Sequence, residues 1–138
     1  MVFQHKIRLA TRGQDDVVNL SPEVQRAVSE SGLSNGIATM FVVGSTAAVT
    51  TIEFEPGLAR DFPAALERLA PADAHYDHEA RWHDDNGHSH VRASLVGPSL
   101  TVPFSGGSLV LGTWQQIVLV ECDTRPREHE VVVQTLGE

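Results

Sequence analysis

Five of the seven histidines in the chain fall between His75 and His90, in HYDHEARWHDDNGHSH, with Asp77, Glu79, Asp84 and Asp85 among them. Imidazole is a base near neutral pH and a common ligand of divalent metals, so imidazoles pooled beside acids suit metal binding or proton transfer. A solvated acidic loop has the same composition. No spacing in the tract matches a zinc finger or a zinc protease, and residue types alone leave both readings open.

Two further stretches carry polar groups beside tight backbone. Gly44-Ser45-Thr46-Ala47 joins two apolar segments, and its hydroxyls suit hydrogen bonding to a phosphate or carboxylate; a simple bend uses the same residues for backbone geometry alone. Thr113, Trp114 and Gln115 follow Gly112, where a glycine within a strand pattern marks a bulge or a close backbone approach. They read either as a ligand-facing group or as an edge tryptophan with a solvent-facing glutamine. The lone cysteine, Cys122, lies in an apolar run and reads as a small buried hydrophobe.

The elements that must position these residues can be drawn from periodicity. Phe3, His5, Ile7 and Leu9 alternate with polar neighbours, predicting a strand with one buried face. Val17 and Val18 suggest a second strand, and Ser21-Pro22-Glu23 predicts a helix start with Ser21 as cap, ended by Gly32. Ile37 to Val43 and Val49 to Phe54 read as strands, and Leu58 to Leu69 as an amphipathic packing helix stopped at Pro71. The histidine-bearing segment then reads as a loop. Asn86 as cap and Gly97-Pro98 as stop predict a helix over the following residues, which sends His88 and His90 about 200° apart around its axis. Beyond Ser99 the chain reads as antiparallel sheet: Leu100 to Phe104, a turn at Ser105-Gly106-Gly107, Leu109 to Val120 interrupted at Gly112, and Glu130 to Thr135.

At 138 residues and 41% hydrophobic, the chain is sized for one core, and a single domain spanning residues 1–138 is expected. Ten basic residues against eighteen acidic ones give a net charge of −8, which opposes nucleic-acid and membrane-surface binding. The N-terminus lacks the apolar core of a secretion signal and no apolar run approaches a bilayer span, so a cytoplasmic location is expected.

The series Gly36 to Ala47 with Thr50 and Glu53, then Tyr76-Asp77-His78, DDNGHSHVRASLVGPSLTVPF, Gly107-Ser108-Leu109-Val110-LGTWQQIVLVE and the ending RPREHEVVVQTLGE resembles the YjbQ-like family, often labelled secondary thiamine-phosphate synthase. The resemblance covers nearly the whole chain, and HSHVRASLVGPS with LGTWQ at this separation is its specific part. It implies an α+β fold of stacked antiparallel β-layers with flanking helices, a homotrimer, and a histidine-based polar pocket that often holds a divalent metal such as zinc. It also implies weak thiamine-phosphate synthase activity, coupling a pyrimidine diphosphate to a thiazole phosphate.

By position, His78 and His90 match pocket histidines and are the expected metal ligands, and Glu53 matches the pocket acid. Thr46, Gln115 and Arg127 match polar residues near the pocket, with Ser45 and Asn86 as further ligand-facing candidates. As a catalytic set acting on a phosphorylated small molecule, a metal held by His78 and His90 would polarise a phosphoryl oxygen, Arg127 would give charge-assisted hydrogen bonds to the same group, and Glu53 would move a proton. The chain departs from the family at Gly44, where a histidine is typical, and at Ile52, where an asparagine is. With the histidine at 44 gone, His83 or His88 substitutes or the pocket stays vacant. Enzyme and non-catalytic trimeric binding protein for a metal or small ligand therefore both remain as expectations, with a purely structural interaction protein behind them.

Overall fold

The computed structural model describes all 138 residues, and its elements follow the chain as two β-sheets with helices attached. Strands β1 (Val2–Ala10), β3 (Gly36–Val42), β5 (Ser99–Ser105), β6 (Ser108–Leu109) and β8 (Glu128–Gly137) form a five-stranded sheet in the order β1-β8-β3-β5-β6. Strands β2 (Val17–Asn19), β4 (Ala47–Glu53) and β7 (Gln115–Glu121) form a second sheet in the order β2-β7-β4. Every pairing is antiparallel. The helices are α1 (Ser21–Ser31), α2 (Pro56–Leu69), α3 (Asp77–Trp82) and α4 (Gly87–Val96).

Side-chain alternation explains the layering. In β7, Ile117 and Leu119 enter the main core with Ala38, Met40 and Val42 of β3 and Val131 and Val133 of β8, while Val118 and Val120, with Cys122 just beyond the strand, pack on the other side with Leu66 of α2 and Ala93 of α4. A strand covered on both faces reads as a continuous apolar run, which is what IVLV is. Helix α1 closes the main core with Val24, Ala27 and Val28. The result is the expected α+β stack: a five-stranded layer, a three-stranded layer, and helices on the outside. No helix is long and apolar enough to cross a membrane.

Several local expectations are corrected. Helix α1 starts at Ser21, but the hydroxyl of Ser21 accepts the Ile117 N–H at 2.8 Å instead of capping its own helix. The expected loop after Pro71 contains the short helix α3. The long segment from Leu109 to Val120 divides: β6 ends at Leu109 and β7 begins at Gln115, because Gln115 Oε1 accepts the Gly112 N–H at 3.0 Å and pins a turn there. Gly32, at φ 71°, ends α1 as predicted.

The crossing of β3 and β8 leaves no room at Gly36. An added Cβ would lie 2.1 Å from the Leu136 carbonyl oxygen, backbone that cannot step aside. Gly36→Ala is expected to lower the unfolding free energy by about 3 kcal/mol, the upper end of the overpacking range, measured by urea denaturation. A loss under about 0.5 kcal/mol, the ordinary surface value, would show that the two strands separate easily.

Candidate functional site

Helices α3 and α4 bring the histidines together. The Tyr76 hydroxyl donates to the Pro71 carbonyl at 2.7 Å and fixes the approach to α3. Glu79 of α3 accepts the Gly87 N–H, so it takes the capping role that the sequence assigned to Asn86, whose side chain makes no cap bond. Gly87 is needed at this junction, since a Cβ there would sit 2.5 Å from the Tyr76 Cβ. With both helices locked, the rings of His78 and His90 stack obliquely with centroids 4.4 Å apart.

Asn86 and Asp84 hold one side of this pair. The Asn86 side-chain amide turns its nitrogen to Asp84 at 2.8 Å, because two oxygens facing each other there would repel; the same nitrogen lies 3.0 Å from His78 Nε2. Asp84 Oδ1 is 3.1 Å from His78 Nε2 as well. His78 Nε2 is therefore enclosed by the protein, and its Nδ1 is the atom left for a ligand. Asn86 is buried and orients the imidazole instead of facing a ligand itself. On the far side, His90 lines a small cavity of about 150 Å³ with Gly44, Ser45, Ala47, Ala93, Ser94 and Pro98.

The other predicted residues divide into two groups. Thr46 and Arg127 both bear on Asp123: Arg127 Nε donates to Asp123 Oδ2 at 2.8 Å, and the Thr46 hydroxyl helps to favour the ionised carboxylate. Burial alone would raise the Asp123 carboxyl, but the Thr124 N–H, the Arg127 guanidinium and the Thr46 hydroxyl together hold it below the ordinary range. Glu53 and Gln115 are cross-strand partners at the far end of β4, and the Gln115 amide donates to the Thr51 hydroxyl at 3.0 Å. Ala47 and Glu53 are the two ends of β4, roughly 20 Å apart at the rise of an extended strand. Within one chain, Glu53 does not stand beside the two imidazoles.

Neither candidate substitute fills the place of a histidine at 44. His88 is buried on the opposite side of α4, its Nε2 2.8 Å from Gln14 Oε1, as the helical spacing requires. His83 is exposed at the left-handed end of α3. No group of three His, Cys, Asp or Glu side chains converges to hold a metal ion. A resident zinc, which the resemblance implies, needs at least three protein donors in the usual catalytic arrangement, so this chain's own donor set does not fit one.

Sequence reasoning missed a second polar cluster behind the Gly44-Ser45 bend. Glu121 is buried and accepts from the Thr11 hydroxyl, from the Asp123 N–H at 3.0 Å, and from His129 Nε2 at 2.7 Å. Its only sequence signals are an acid closing the apolar run of β7 and a histidine in the inward register of β8 with Val131 and Val133. Arg92 was missed too. It is 1% exposed and donates to the Ala70 carbonyl at 2.9 Å and to Glu67, with Asp15 at 3.7 Å. Burial pushes the thiol of nearby Cys122 up to about 12, so it stays a protonated hydrophobe.

The family model for UPF0047, YjbQ-like proteins matches residues 5–138. The chain belongs to this family. A UPF0047 protein of Methanothermobacter thermautotrophicus is 38% identical over 136 residues, covering 99% of this chain and 93% of that protein. Another, from Methanocaldococcus jannaschii, is 33% identical over 139 residues, 100% of this chain and 96% of its own. Among solved structures, a YbjQ-like protein of unknown function from Sulfolobus solfataricus superposes with a TM-score of 0.93 at 34% identity, covering 100% of this chain and 99% of that one. A hypothetical protein from Aeropyrum pernix gives 0.90 at 32% identity, with 99% of each chain covered. The shared architecture is therefore that of a family of proteins without an established role.

His88 makes a pH test of the α4 anchor. Burial, reinforced by the Arg92 charge, lowers its basicity below the ordinary value of 6.5. The unfolded chain then binds the proton more readily, so the contribution is complete above pH 6.5 and is lost as pH falls through the lower folded value. Denaturation at a series of pH values should show stability declining below about 6.5, and His88→Gln should flatten that decline.

Proposed function

We propose that this YjbQ-like protein binds a small polar ligand bearing a phosphoryl or carboxylate group and does not turn it over. The observation that carries the reading is the His78–His90 pair, centroids 4.4 Å apart, with Ser45 and Ser94 lining the cavity next to His90. Two imidazole edges and the Ser45 hydroxyl offer hydrogen bonds to the oxygens of such a group, while the Ser94 hydroxyl donates to the His90 carbonyl at 2.8 Å. The cavity, about 150 Å³, takes one such group. It is well below the roughly 300–1,000 Å³ of sites that enclose a whole cofactor-sized molecule, so coupling two thiamine-phosphate precursors is poorly served by one chain.

The homotrimer belongs to the same proposal. The outer face of the five-stranded sheet exposes Ile37, Phe41, Val132 and Leu136 around Thr39 and Gln134, and Phe54 and Trp114 stand exposed near Glu53. Apolar faces of this kind suit burial against further copies. In such an assembly, Glu53 acts on the pocket of a neighbouring protomer, since it is remote from its own imidazoles. A divalent metal would likewise need a donor beyond His78 and His90, from the ligand or a neighbour.

Inorganic phosphate is the probe. Isothermal titration is expected to show saturable binding, weakened about 10-fold to 100-fold in His90→Ala, which corresponds to a charge-assisted hydrogen bond of about 1.5–3 kcal/mol. Unchanged binding in His78→Ala and His90→Ala would remove the site. Product from the two thiamine-phosphate precursors, lost in His90→Ala, would restore the synthase reading. Light scattering should give three chains per particle, and elemental analysis less than one zinc per chain.

A further inference from the structure

Strand β1 is the last strand of the five-stranded sheet and β2 is the last of the three-stranded sheet, and no strand lies beyond either. Between them, bounded also by α1, runs a groove of about 320 Å³. Five consecutive residues of β1, His5 to Leu9, line it. Side chains alternate between the two faces of a strand, so a groove that touches every residue in turn runs along the backbone edge and not over one face.

The register of β1 shows what that edge offers. The Met1 carbonyl accepts from the Gly137 N–H and the Thr11 N–H donates to the Arg127 carbonyl, so the odd-numbered residues turn their backbone groups to β8. The N–H and C=O groups of Lys6 and Arg8 therefore point into the groove, with those of Gln4 along the same edge, and no hydrogen bond within the chain takes them.

The groove is sorted by chemistry as well. Ile7 and Leu9, with Val18 and Leu20 opposite, give it an apolar inner side. Lys6 and Arg8 stand exposed at its rim. The acids that face these two cations, Glu130 and Glu128, are both on β8, inboard of β1; Lys6 lies 3.5 Å from Glu130, and Arg8 makes no ion pair. Outboard of β1 the acid lining the groove is Glu23, already bound to Arg26 on the far wall. In a chain of net charge −8, the side of β1 that has room for another strand is thus the side where its cations have no acid. An extended segment laid there puts alternate side chains against the apolar wall and the others beside Lys6 and Arg8. The β1 edge of a second copy does not fit, because antiparallel pairing of two such edges sets their cations against each other.

We infer that the β1 edge is a docking site for an extended segment of another protein, acidic at alternate positions and apolar between them, which continues the five-stranded sheet by one strand. Backbone hydrogen bonds at Lys6 and Arg8 hold the segment, and the two side chains select its acids.

The probe is a capped, fluorescently labelled pentapeptide of alternating glutamate and valine, with glutamate at both ends, added to the full chain. Fluorescence anisotropy is expected to show saturable binding, at least tenfold weaker in the double variant Lys6→Glu and Arg8→Glu and for the peptide with lysine in place of glutamate. No saturation, or equal binding by the double variant, overturns the docking site. Should the double variant fail to fold, hydrogen exchange followed by NMR on the wild-type chain serves. Bound peptide is expected to slow exchange at the Lys6 and Arg8 amides and leave Ile7, whose N–H already faces β8, as it was; unchanged exchange at Lys6 and Arg8 overturns the added strand. Light scattering that gives smaller particles for the double variant than for the wild type would show that another copy of this chain covers the edge, which also overturns the proposal. Combined His78→Ala and His90→Ala should abolish phosphate binding and leave peptide binding intact, so the two sites fail separately.

Discussion

A carboxylate buried between two sheets must be fully supplied with donors or it destabilises everything around it, and Glu121 is that group here. It ends β7 in the three-stranded sheet, yet two of its three partners come from the five-stranded sheet's side: His129 from β8, and Thr11 just beyond β1. Removing an ionised acid from water costs several kcal/mol unless its acceptor sites are occupied. The corner where the sheets meet is therefore fixed by hydrogen bonding where the core elsewhere is held by apolar packing. The adjoining bend, Gly44 to Thr46, is tied to the same corner: the Val43 N–H donates to the Glu130 carbonyl and the Thr46 carbonyl accepts from Cys122.

From that corner the imidazole pair is reached through α4. Helix α4 packs on β4 with Ala93, but its orientation is set by Arg92, whose guanidinium is clamped by Glu67 and the Ala70 carbonyl at the end of α2 and faces Asp15 after β1. The Ala72 N–H, more than Arg92 itself, holds the Glu67 carboxyl below its ordinary range, so the acid stays charged for this contact. Helix α3 is then docked on the start of α4 by Glu79. Three acids outside the pocket thus determine where His78 and His90 meet, which makes the paired rings a consequence of rigid support and not of a mobile loop.

Much of this frame was legible from residue types. Period-2 alternation placed β1 and β5, an apolar β-branched run placed β3, the expected strand from Glu130 to Thr135 fell within β8, and the stop at Gly97 placed the end of α4. The 3.6-residue turn also separated His88 from His90 correctly. Local pattern could not reveal which donors would be claimed by distant partners. Ser21 and Asn86 carry capping chemistry, but Ile117 uses one and the His78–Asp84 pair uses the other. The same blindness hid Glu121 and His129, eight residues apart but joined only because their strands lie in different sheets. The short helix α3 escaped because six residues rich in acids and histidines show no apolar periodicity.

Glu53 exposes a deeper limit. Its match to the pocket acid was positional, and the strand it ends carries it roughly 20 Å from the start of β4, while the bend before that start lines the cavity with His90. No rotamer spans that gap. A chain that keeps such an acid beside the exposed Phe54 and Trp114, on a turn held rigid by Gln115, has preorganised a surface that nothing in its own pocket uses. In the proposed assembly this end of the fold would form the contact, since aromatic side chains lose little entropy on being ordered. Gly44 has the opposite character: it lines the cavity with His90 and offers it no side-chain donor. The two features lie at opposite ends of β4, the acid beside its exposed aromatics at one and the glycine that lines the cavity with His90 at the other.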